Sequence, residues 1–349
     1  MAYTTINDPT KSFNTKLYTG NLIAQAVDGL GHQPDFLWFK NRATTNNHEF
    51  IDSSRGTNKT IQSDRVNAES TTTTRITAFG SDGMTISTDP SVNGQTNNIV
   101  AWSWKANAGT TATISGGPNA VVQKEDTAKF AIGTYTGTGS QTGAEHGLGV
   151  KPDFIIIKNR SQGDSWFVWI RGAVANNQGL ELDTDVALQT TNGFMGNEEP
   201  QITDPGIGLG TGHDTNADGE NYVFYCWAGV QGYSKFGKYT GNNAASGPFI
   251  YTGFKPAWIL TKRTDSAGSW FIFDNKRSTT NPVDDILFPH GQDAETADSS
   301  SGAVDFCANG FKIRGTNANF NASSATHAYA AFAESPFVTS NGSPNNGGS

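Results

Sequence analysis

One short acidic segment has the residue spacing of a metal site. Asp214-Thr215-Asn216-Ala217-Asp218-Gly219 follows the pattern Asp-x-Asn-x-Asp-Gly, the first half of a calcium-binding loop. In such a loop alternate side-chain oxygens point inward and the glycine makes a sharp turn. The twelfth position, where a bidentate Glu would close the site, holds Tyr225. Asp214, Asn216 and Asp218 are therefore candidate calcium ligands, and a polar turn before a strand is the alternative.

Patterns for catalysis are missing from the sequence. It contains no Gly-x-Ser-x-Gly, no P-loop and no His-Glu-x-x-His. Its six histidines are scattered, and no pair has the spacing of metal ligands. Two adjacent acids, as at Glu198-Glu199 or Asp284-Asp285, do not make the facing carboxylates that a glycosidase needs. We predict no catalytic residue and no cofactor other than calcium, and the sequence does not identify ligand-binding residues.

The composition is that of a turn-rich β protein. Among 349 residues there are 40 Gly, and 21 Phe, 9 Tyr and 8 Trp supply the aromatic area that disordered chains lack. The formal charge of -8 repels nucleic acid and anionic membranes. No apolar run approaches the ~20 residues of a membrane span. The two cysteines lie outside any paired motif and are expected to be free thiols.

Three segments of the chain repeat one sequence pattern. The elements that they form must position the candidate calcium ligands. Each segment passes from Tyr-Thr-Gly through a turn to a proline and an apolar run that ends at a lysine, in residues 18–42, 135–160 and 239–263. Each later has a turn followed by an apolar strand, at Asp82-Gly83-Met84, Asn192-Gly193-Phe194 and Asn309-Gly310-Phe311. Each closes with an aromatic run, at residues 101–104, 224–227 and 329–332. So many residue types in register indicate an internal repeat.

The apolar runs are short and rich in Ile, Val, Phe and Trp, which predicts strands. Phe154-Ile155-Ile156-Ile157 lacks alternation, so both faces of that strand should be covered. Trp102 and Trp104 flank Ser103, which predicts a half-buried strand. We predict an all-β protein of three tandem antiparallel β-sandwich units, jelly-roll-like, whose aromatic residues fill three cores.

The repeat sets the predicted domain boundaries. A leader covers residues 1–10, the first copy 11–107, a linker or hairpin 108–128, the second copy 129–232, the third copy 233–338 and a flexible tail 339–349. The basic residues at the ends of the equivalent strands favour structural ion pairs; they are Lys40, Lys158, Lys262, Arg42, Arg160 and Arg263.

Five stretches carry a resemblance to a known family: residues 2–9, 33–42, 102–106, 236–242 and 331–337. With them the chain resembles uncharacterised virion proteins of marine tailed phages that have tandem tail-fibre-like β-sandwich repeats. The resemblance implies a structural part of a phage particle, assembled in the host cytoplasm together with other virion proteins. It brings no catalytic residues.

These observations lead to one hypothesis and two alternatives. The leading hypothesis is a tail fibre or adhesion protein that binds a glycan or protein on the host surface, because many weak sites gain from avidity. The alternative is a capsid decoration or head-fibre protein that binds no receptor. A glycan-degrading enzyme is the third, and the missing catalytic pattern counts against it. A homo-oligomer is expected, and a trimer by analogy.

Overall fold

The structure, a computed structural model, describes residues 3–115, 117–190, 194, 202–298 and 302–344. Over these residues the chain is all-β, as predicted, with antiparallel sheets joined by turns and four very short helices. No helix in this described part has the length and apolar character needed to cross a membrane. Cys226 and Cys307 are free thiols.

The elements of the first copy are the 3-10 helix η1 (Pro9–Lys11), β1 (Phe13–Thr19), β2 (Gln25–Asp28), β3 (Phe36–Asn41), β4 (Glu49–Asp52), β5 (Lys59–Gln62), β6 (Ser70–Thr71), β7 (Ile76–Gly80), β8 (Gly83–Ile86), α1 (Pro90–Asn93) and β9 (Asn98–Trp104). The elements that follow are β10 (Ala112–Ile114), β11 (Ala120–Glu125), β12 (Phe130–Thr136), β13 (Thr142–Glu145), β14 (Phe154–Asn159), β15 (Phe167–Ile170), β16 (Gln178–Glu181), β17 (Gln189–Thr190), β18 (Gly206–Leu209), α2 (His213–Asn216) and β19 (Asn221–Trp227).

The third copy contains β20 (Ser234–Thr240), β21 (Ser246–Tyr251), β22 (Phe254–Arg263), β23 (Trp270–Asp274), β24 (Asp285–Ile286), β25 (Thr296–Ala297), β26 (Ala303–Cys307), β27 (Gly310–Arg314), α3 (Ala318–Asn321) and β28 (Thr326–Pro336).

One strand order occurs in three sheets. In each sheet the closing strand of the copy lies between its opening strand and the strand that follows the proline. The next strand along the chain pairs with the far side of the strand that follows the proline. The three sets are β1-β9-β3-β4, β12-β19-β14-β15 and β20-β28-β22-β23. All these pairs are antiparallel. In the segment predicted as a linker or hairpin, β10 and β11 pair antiparallel with each other, and β11 also pairs with β12, so the two strands extend the second sheet.

A smaller sheet covers the outer face of each main sheet: β2-β8-β7, β13-β18 and β21-β27-β26. In the second copy the strand that pairs with β13 is Gly206–Leu209. Phe194 is a buried turn residue. The rest of the strand predicted after Asn192-Gly193 lies outside the described residues.

The inner faces of the three main sheets meet in one aromatic core. Trp104, Trp227 and Phe332 occupy equivalent positions of the three closing strands, opposite Phe13, Phe130 and Ser234 of the opening strands. Their ring centroids are 5.8 Å (Trp104–Trp227), 5.5 Å (Trp104–Phe332) and 6.2 Å (Trp227–Phe332) apart. Each of these three rings therefore packs against the other two. One cluster of buried residues contains side chains from all three copies, and the first and third copies each have a further buried cluster of their own. The aromatic residues therefore fill a shared core as well as cores that belong to single copies.

The strand that ends at Trp104 is buried on both faces. Trp102, Ser103 and Trp104 are almost fully inaccessible, so the prediction of a half-buried strand was wrong. The Ser103 hydroxyl donates to the Asn14 carbonyl at 3.1 Å and lies 3.1 Å from the His32 ring. A polar residue was compatible with burial here because its hydroxyl has partners inside the protein.

Each copy contacts the preceding one, and the third contacts the first, so the arrangement is a closed ring. The three equivalent lysines donate to carbonyls of a neighbouring copy: Lys158 to Val66 at 3.0 Å, Lys262 to Asp185 at 3.2 Å and Lys40 to Gln292 at 2.8 Å. Burial lowers the pKa of each lysine to about 8. The lysines thus bind backbone oxygens rather than forming the predicted ion pairs.

Two arginines do form ion pairs between copies. Arg160 binds Glu69 of the first copy at 2.9 Å, and Arg42 binds Glu295 of the third copy. Arg263 pairs within its own copy, with Asp265 at 2.7 Å. The predicted role of the recurring arginines is therefore correct.

The two ends of the chain lie against each other. Ile6 is buried in the shared core, and the Asn7 amide donates to the Ser340 hydroxyl at 2.7 Å. The Ser340 amide in turn donates to Asn7 Oδ1 at 2.8 Å. Residues 339–344, part of the segment predicted to be a flexible tail, are held by these bonds and by the turn from Thr339 to Ser343.

Candidate functional site

A groove of about 790 Å³ opens where the second sheet, the N-terminal segment and the connection between the second and third copies meet. Its walls come from the turn between β11 and β12, the residues before β14, the end of β15 and the residues after β19. The lining residues are Tyr3, Thr4, Thr5, Asp126, Thr127, Lys129, Val150, Lys151, Asp153, Arg171, Asp204 and 228–231.

Asp153 fixes one wall of the groove. Its Oδ2 accepts the Gly229 amide at 2.7 Å, and its Oδ1 binds Arg171 at 2.7 Å. The equivalent Asp35 of the first copy accepts four hydrogen bonds, three of them from backbone amides after β9. The Pro-Asp-Phe motif therefore uses its carboxylate to hold the chain that leaves the closing strand.

Tyr3 forms the opposite wall. Its hydroxyl donates to the Gly253 carbonyl at 3.0 Å and lies 3.1 Å from the Tyr251 hydroxyl. Burial and the neighbouring Tyr251 raise the pKa of Tyr3 to about 12, so it stays a neutral hydroxyl. The N-terminal segment can approach because Gly232 has a φ of +81° and no side chain; a Cβ there would lie 2.8 Å from Thr4.

The charges of the groove are balanced. Three cations and three carboxylates line it. All three carboxylates have partners in the protein: Asp153 as described above, Asp204, which accepts the Lys151 amide at 2.9 Å, and Asp126, which pairs with Lys124 at 2.7 Å. The groove thus combines charged groups, an amide at Gln231, hydroxyls and the apolar side chains of Val150 and Val230. Such a lining suits a polar ligand of low net charge.

The three predicted calcium ligands lie in different surroundings. Asp214 and Asn216 belong to α2, and Asp218 follows it on the surface. The buried Asn216 amide is used inside the protein: its Oδ1 accepts the Thr138 amide at 2.8 Å, and its Nδ2 donates to the carbonyls of Ser140 and Gly210, each at 2.7 Å.

The same arrangement occurs in the other two copies, where Asn93 and Asn321 take the place of Asn216. Asn93 accepts the Asn21 amide at 2.8 Å, and Asn321 accepts the Asn242 amide at 2.9 Å. Each also donates to two carbonyls of its own copy. The central residue of the acidic motif is therefore a repeated structural asparagine. Calcium binding by this segment stays a prediction.

The same loop contributes to a different cluster. Asp164, His213 and Glu220 each present one potential ligand atom, and these atoms lie within 4.8 Å of one another. The amide of Asn159 donates to both Asp164 and Glu220. The two carboxylates of this cluster therefore share a hydrogen-bond donor of the protein itself.

Acidic residues around Lys158 have shifted pKa values. Burial, reinforced by Asp164, Glu181 and Asp183, raises the pKa of Asp214 to about 6. Burial also raises the pKa of Asp183 and of Glu181. Perturbed acids can mark functional sites. Here they surround a lysine that binds a neighbouring copy, so the cluster forms part of the ring contact.

Sequence reasoning missed the groove. Its residues come from distant segments, and most belong to turns whose sequences carry no motif. A partial signal was available: Lys151-Pro152-Asp153 recurs as Lys255-Pro256-Ala257 in the third copy, where the loss of the aspartate shows that this turn differs between copies.

The fold and the site define an all-β protein that has three sheets of one strand order and an open polar groove. The chain belongs to the family described as Domain of unknown function (DUF7483), whose profile matches residues 8–336. No curated protein matches the chain.

Proposed function

We propose that the protein is a non-catalytic component of a tailed-phage particle and that it binds a ligand on the host surface. The groove carries the binding part of this proposal, because its balanced charges and mixed polar and apolar lining suit a saccharide or a peptide. The sequence resemblance to virion proteins of marine tailed phages supports the proposed location in a phage particle. Within the particle, a tail fibre or adhesion component is the position we favour.

A binding role fits the groove better than a catalytic one. Acid–base catalysis most often uses an imidazole or a carboxylate that is available for proton transfer. Asp153 and Asp204 instead hold backbone amides, Asp153 is also neutralised by Arg171, and Asp126 pairs with Lys124 at 2.7 Å. No histidine or cysteine is among the described residues that line this groove.

The closed ring also favours a displayed binding module. A rigid scaffold limits the conformational entropy that a binding site loses when it takes up its ligand. Several copies on one particle would add avidity to a weak single site, by a factor of ~10²–10⁴ when geometry permits simultaneous binding.

Binding is tested with purified, fluorescently labelled protein on host cells. We expect saturable binding that Lys151→Ala in the groove weakens at least fivefold. Lys255→Ala is the matched control, since Lys255 also stands just before the proline of its copy but lies outside the groove. Equal binding by both variants would place the ligand elsewhere, and no binding by the unmodified protein would refute the adhesion role.

Location is tested with gold-labelled antibody on intact particles. Label at the tail is the expected result. Label over the head would support a decoration or head-fibre protein instead, and particles without label, intact or opened, would refute the assignment to the virion.

A further inference from the structure

The outer sheet of the third copy carries two exposed aromatic side chains. Phe249 and Tyr251 lie two residues apart on β21, so their side chains project from the same face. Their exposed fractions are 46% and 50%, whereas Ile250 between them is buried. Large aromatic side chains are usually kept from water, so two adjacent exposed rings indicate a contact surface.

The other copies show that the fold does not require these rings. Val27, Ala144 and Ile250 are the buried residues that pair with Met84, Ile207 and Phe311 at equivalent places. Beside Val27 the first copy has Ala26 and Asp28, and beside Ala144 the second copy has Gly143 and Glu145. The other two copies therefore have a small residue where the third has Phe249 and an acidic residue where it has Tyr251. The aromatic pair occurs in the third copy alone among the three.

Basic groups accompany the two rings. Lys312 lies directly opposite Phe249 in the sheet, so it shares the outer face. The ammonium of Lys235 lies 5.1 Å from the centroid of the Tyr251 ring. In the equivalent outer strands of the first and second copies, β8 (Gly83–Ile86) and β18 (Gly206–Leu209), there is no lysine or arginine.

The charge of this face opposes that of the whole protein. Arg314 is paired with Asp305 at 3.4 Å, which leaves Lys235 and Lys312 in excess. A local positive charge on a chain of net charge -8 selects for an anionic ligand that carries few charges. A nucleic acid, with one charge per phosphate, is disfavoured by the remaining surface.

We propose that Phe249, Tyr251, Lys235 and Lys312 form a binding site for an acidic sugar of a polysaccharide. The C–H face of a pyranose ring packs against the electron-rich face of an aromatic ring, and a lysine binds its carboxylate. This inference rests on the proposed function, since it specifies the class of host ligand.

Tyr251 is held ready for such a contact. Its backbone carbonyl accepts the Lys235 ammonium at 2.8 Å, and its hydroxyl contacts Tyr3, a residue of the groove. Across the sheet from Tyr251 lies Gly310, which has no side chain to cover the ring. Tyr3 joins this face to the groove, so one extended glycan chain can contact both.

The site is tested by calorimetric titration of the full chain with a panel of oligosaccharides that carry uronic or sialic acids, each beside a neutral oligosaccharide of equal length. We expect at least one acidic member to bind at least tenfold more tightly than its neutral counterpart. Phe249→Ala and Tyr251→Asp, which copy Ala26 and Asp28, should each weaken that binding at least tenfold. Tyr251→Phe keeps the ring and should retain it.

Ile23→Ala removes an exposed apolar side chain of the first copy and serves as the surface control. Unchanged melting temperatures would show that the variants are folded. This inference fails, and the proposed function stands, in either of two cases. In the first, the variants bind host cells and acidic sugars as tightly as the unmodified protein does. In the second, the unmodified protein binds host cells but none of the acidic sugars. If the unmodified protein binds neither cells nor sugars, the proposed function fails as well. Tight binding of oligothymidylate or self-association lost in Tyr251→Asp would assign the face to a different partner and overturn the inference.

Discussion

Replacing Arg55 with methionine should lower the free energy of unfolding by about 3–5 kcal/mol, the usual cost of removing one partner from a buried ion pair. Arg55 and Asp52 are 2.5 Å apart, and both side chains are fully buried. Arg55 also donates to the Phe50 carbonyl at 3.1 Å and the Tyr225 hydroxyl at 3.0 Å. The variant leaves the charge of Asp52 buried without its cation.

The size of this effect follows from the position of the pair in the ring. Tyr225 belongs to the second copy and donates to Asp52 at 2.7 Å, so the pair joins two copies. Methionine fills much of the volume of the arginine stem, which limits the contribution of a cavity. The loss is therefore mainly the cost of the unpaired Asp52 carboxylate. Smaller parts come from the carbonyl and hydroxyl that lose a donor and from Glu69, which keeps Lys59 and Arg160 but loses its 3.1 Å pair with Arg55.

Urea unfolding followed by tryptophan fluorescence measures the change. Arg171→Met is the matched control, because Arg171 forms an ion pair of similar length with Asp153 while its side chain is 43% exposed. Exposed pairs contribute about 0–1 kcal/mol, so the control should change stability by less than 1 kcal/mol. Arg277→Met, at the equivalent pair of the third copy, should match Arg55→Met.

A loss below 1 kcal/mol for Arg55→Met, with an unchanged slope of free energy against urea, would refute this reasoning. Adding Asp52→Asn to Arg55→Met removes the buried negative charge and should recover part of the loss. No recovery would show that packing, and not the uncompensated charge, dominates.

Three further outcomes are expected. Asn216→Ala should destabilise the protein by roughly 2–3 kcal/mol, in calcium and in chelator alike, and Asn93→Ala should do the same, because each loses buried hydrogen bonds. His327→Phe should reduce the loss of stability between pH 7 and pH 5 by about 1 kcal/mol in urea unfolding, a figure reduced for partial solvent screening. A fragment of residues 1–110 should bind a hydrophobic dye and lack cooperative unfolding, because its inner face is completed by the other copies.

The sign of the pH effect follows from the histidine. Burial lowers the pKa of His327 to about 4, below its ordinary 6.5, so the unfolded chain takes up the proton first. Stability from the neutral ring is complete above pH 6.5 and is lost as the pH falls towards 4. Unchanged pH dependence in His327→Phe would contradict this assignment. If calcium stabilised the unmodified protein and Asn93→Ala but not Asn216→Ala, the result would argue for a metal-binding role of Asn216. If the fragment of residues 1–110 unfolded cooperatively, the first copy would have a core sufficient for folding alone.

Local pattern was enough to predict the class of fold and many of its strands. Phe154–Asn159 is a strand buried on both faces, as its unbroken apolar run indicates. The same reasoning failed for Trp102 and Trp104, because it took Ser103 as a sign of solvent. Alternation shows that the two faces of a strand differ in polarity. It does not show that the polar face contacts solvent, because hydrogen-bond partners inside the protein can satisfy a buried hydroxyl.

The contacts that close the ring could not be predicted, because each depends on which copy faces which. At two junctions a buried aspartate–arginine pair meets an aromatic side chain of the next copy: Asp52 with Tyr225, and Asp274 with Trp102 at 3.0 Å. At the third, the residue equivalent to these aspartates is Ile170, which pairs with Phe154 as Asp52 pairs with Phe36.

The third junction therefore uses apolar packing where the other two use buried charges. The strand of Ile170, β15, contacts β28, whose Ala330 stands where the other closing strands have Tyr225 and Trp102. The polar partner and the aspartate are absent together, so no buried charge is left without a partner. Three junctions of unlike chemistry discriminate between neighbours better than three identical ones, because an exchanged pair would bury an unmatched carboxylate. The divergence of the copies thus specifies a single closed arrangement, and it leaves the outer face of each copy free to carry a different surface.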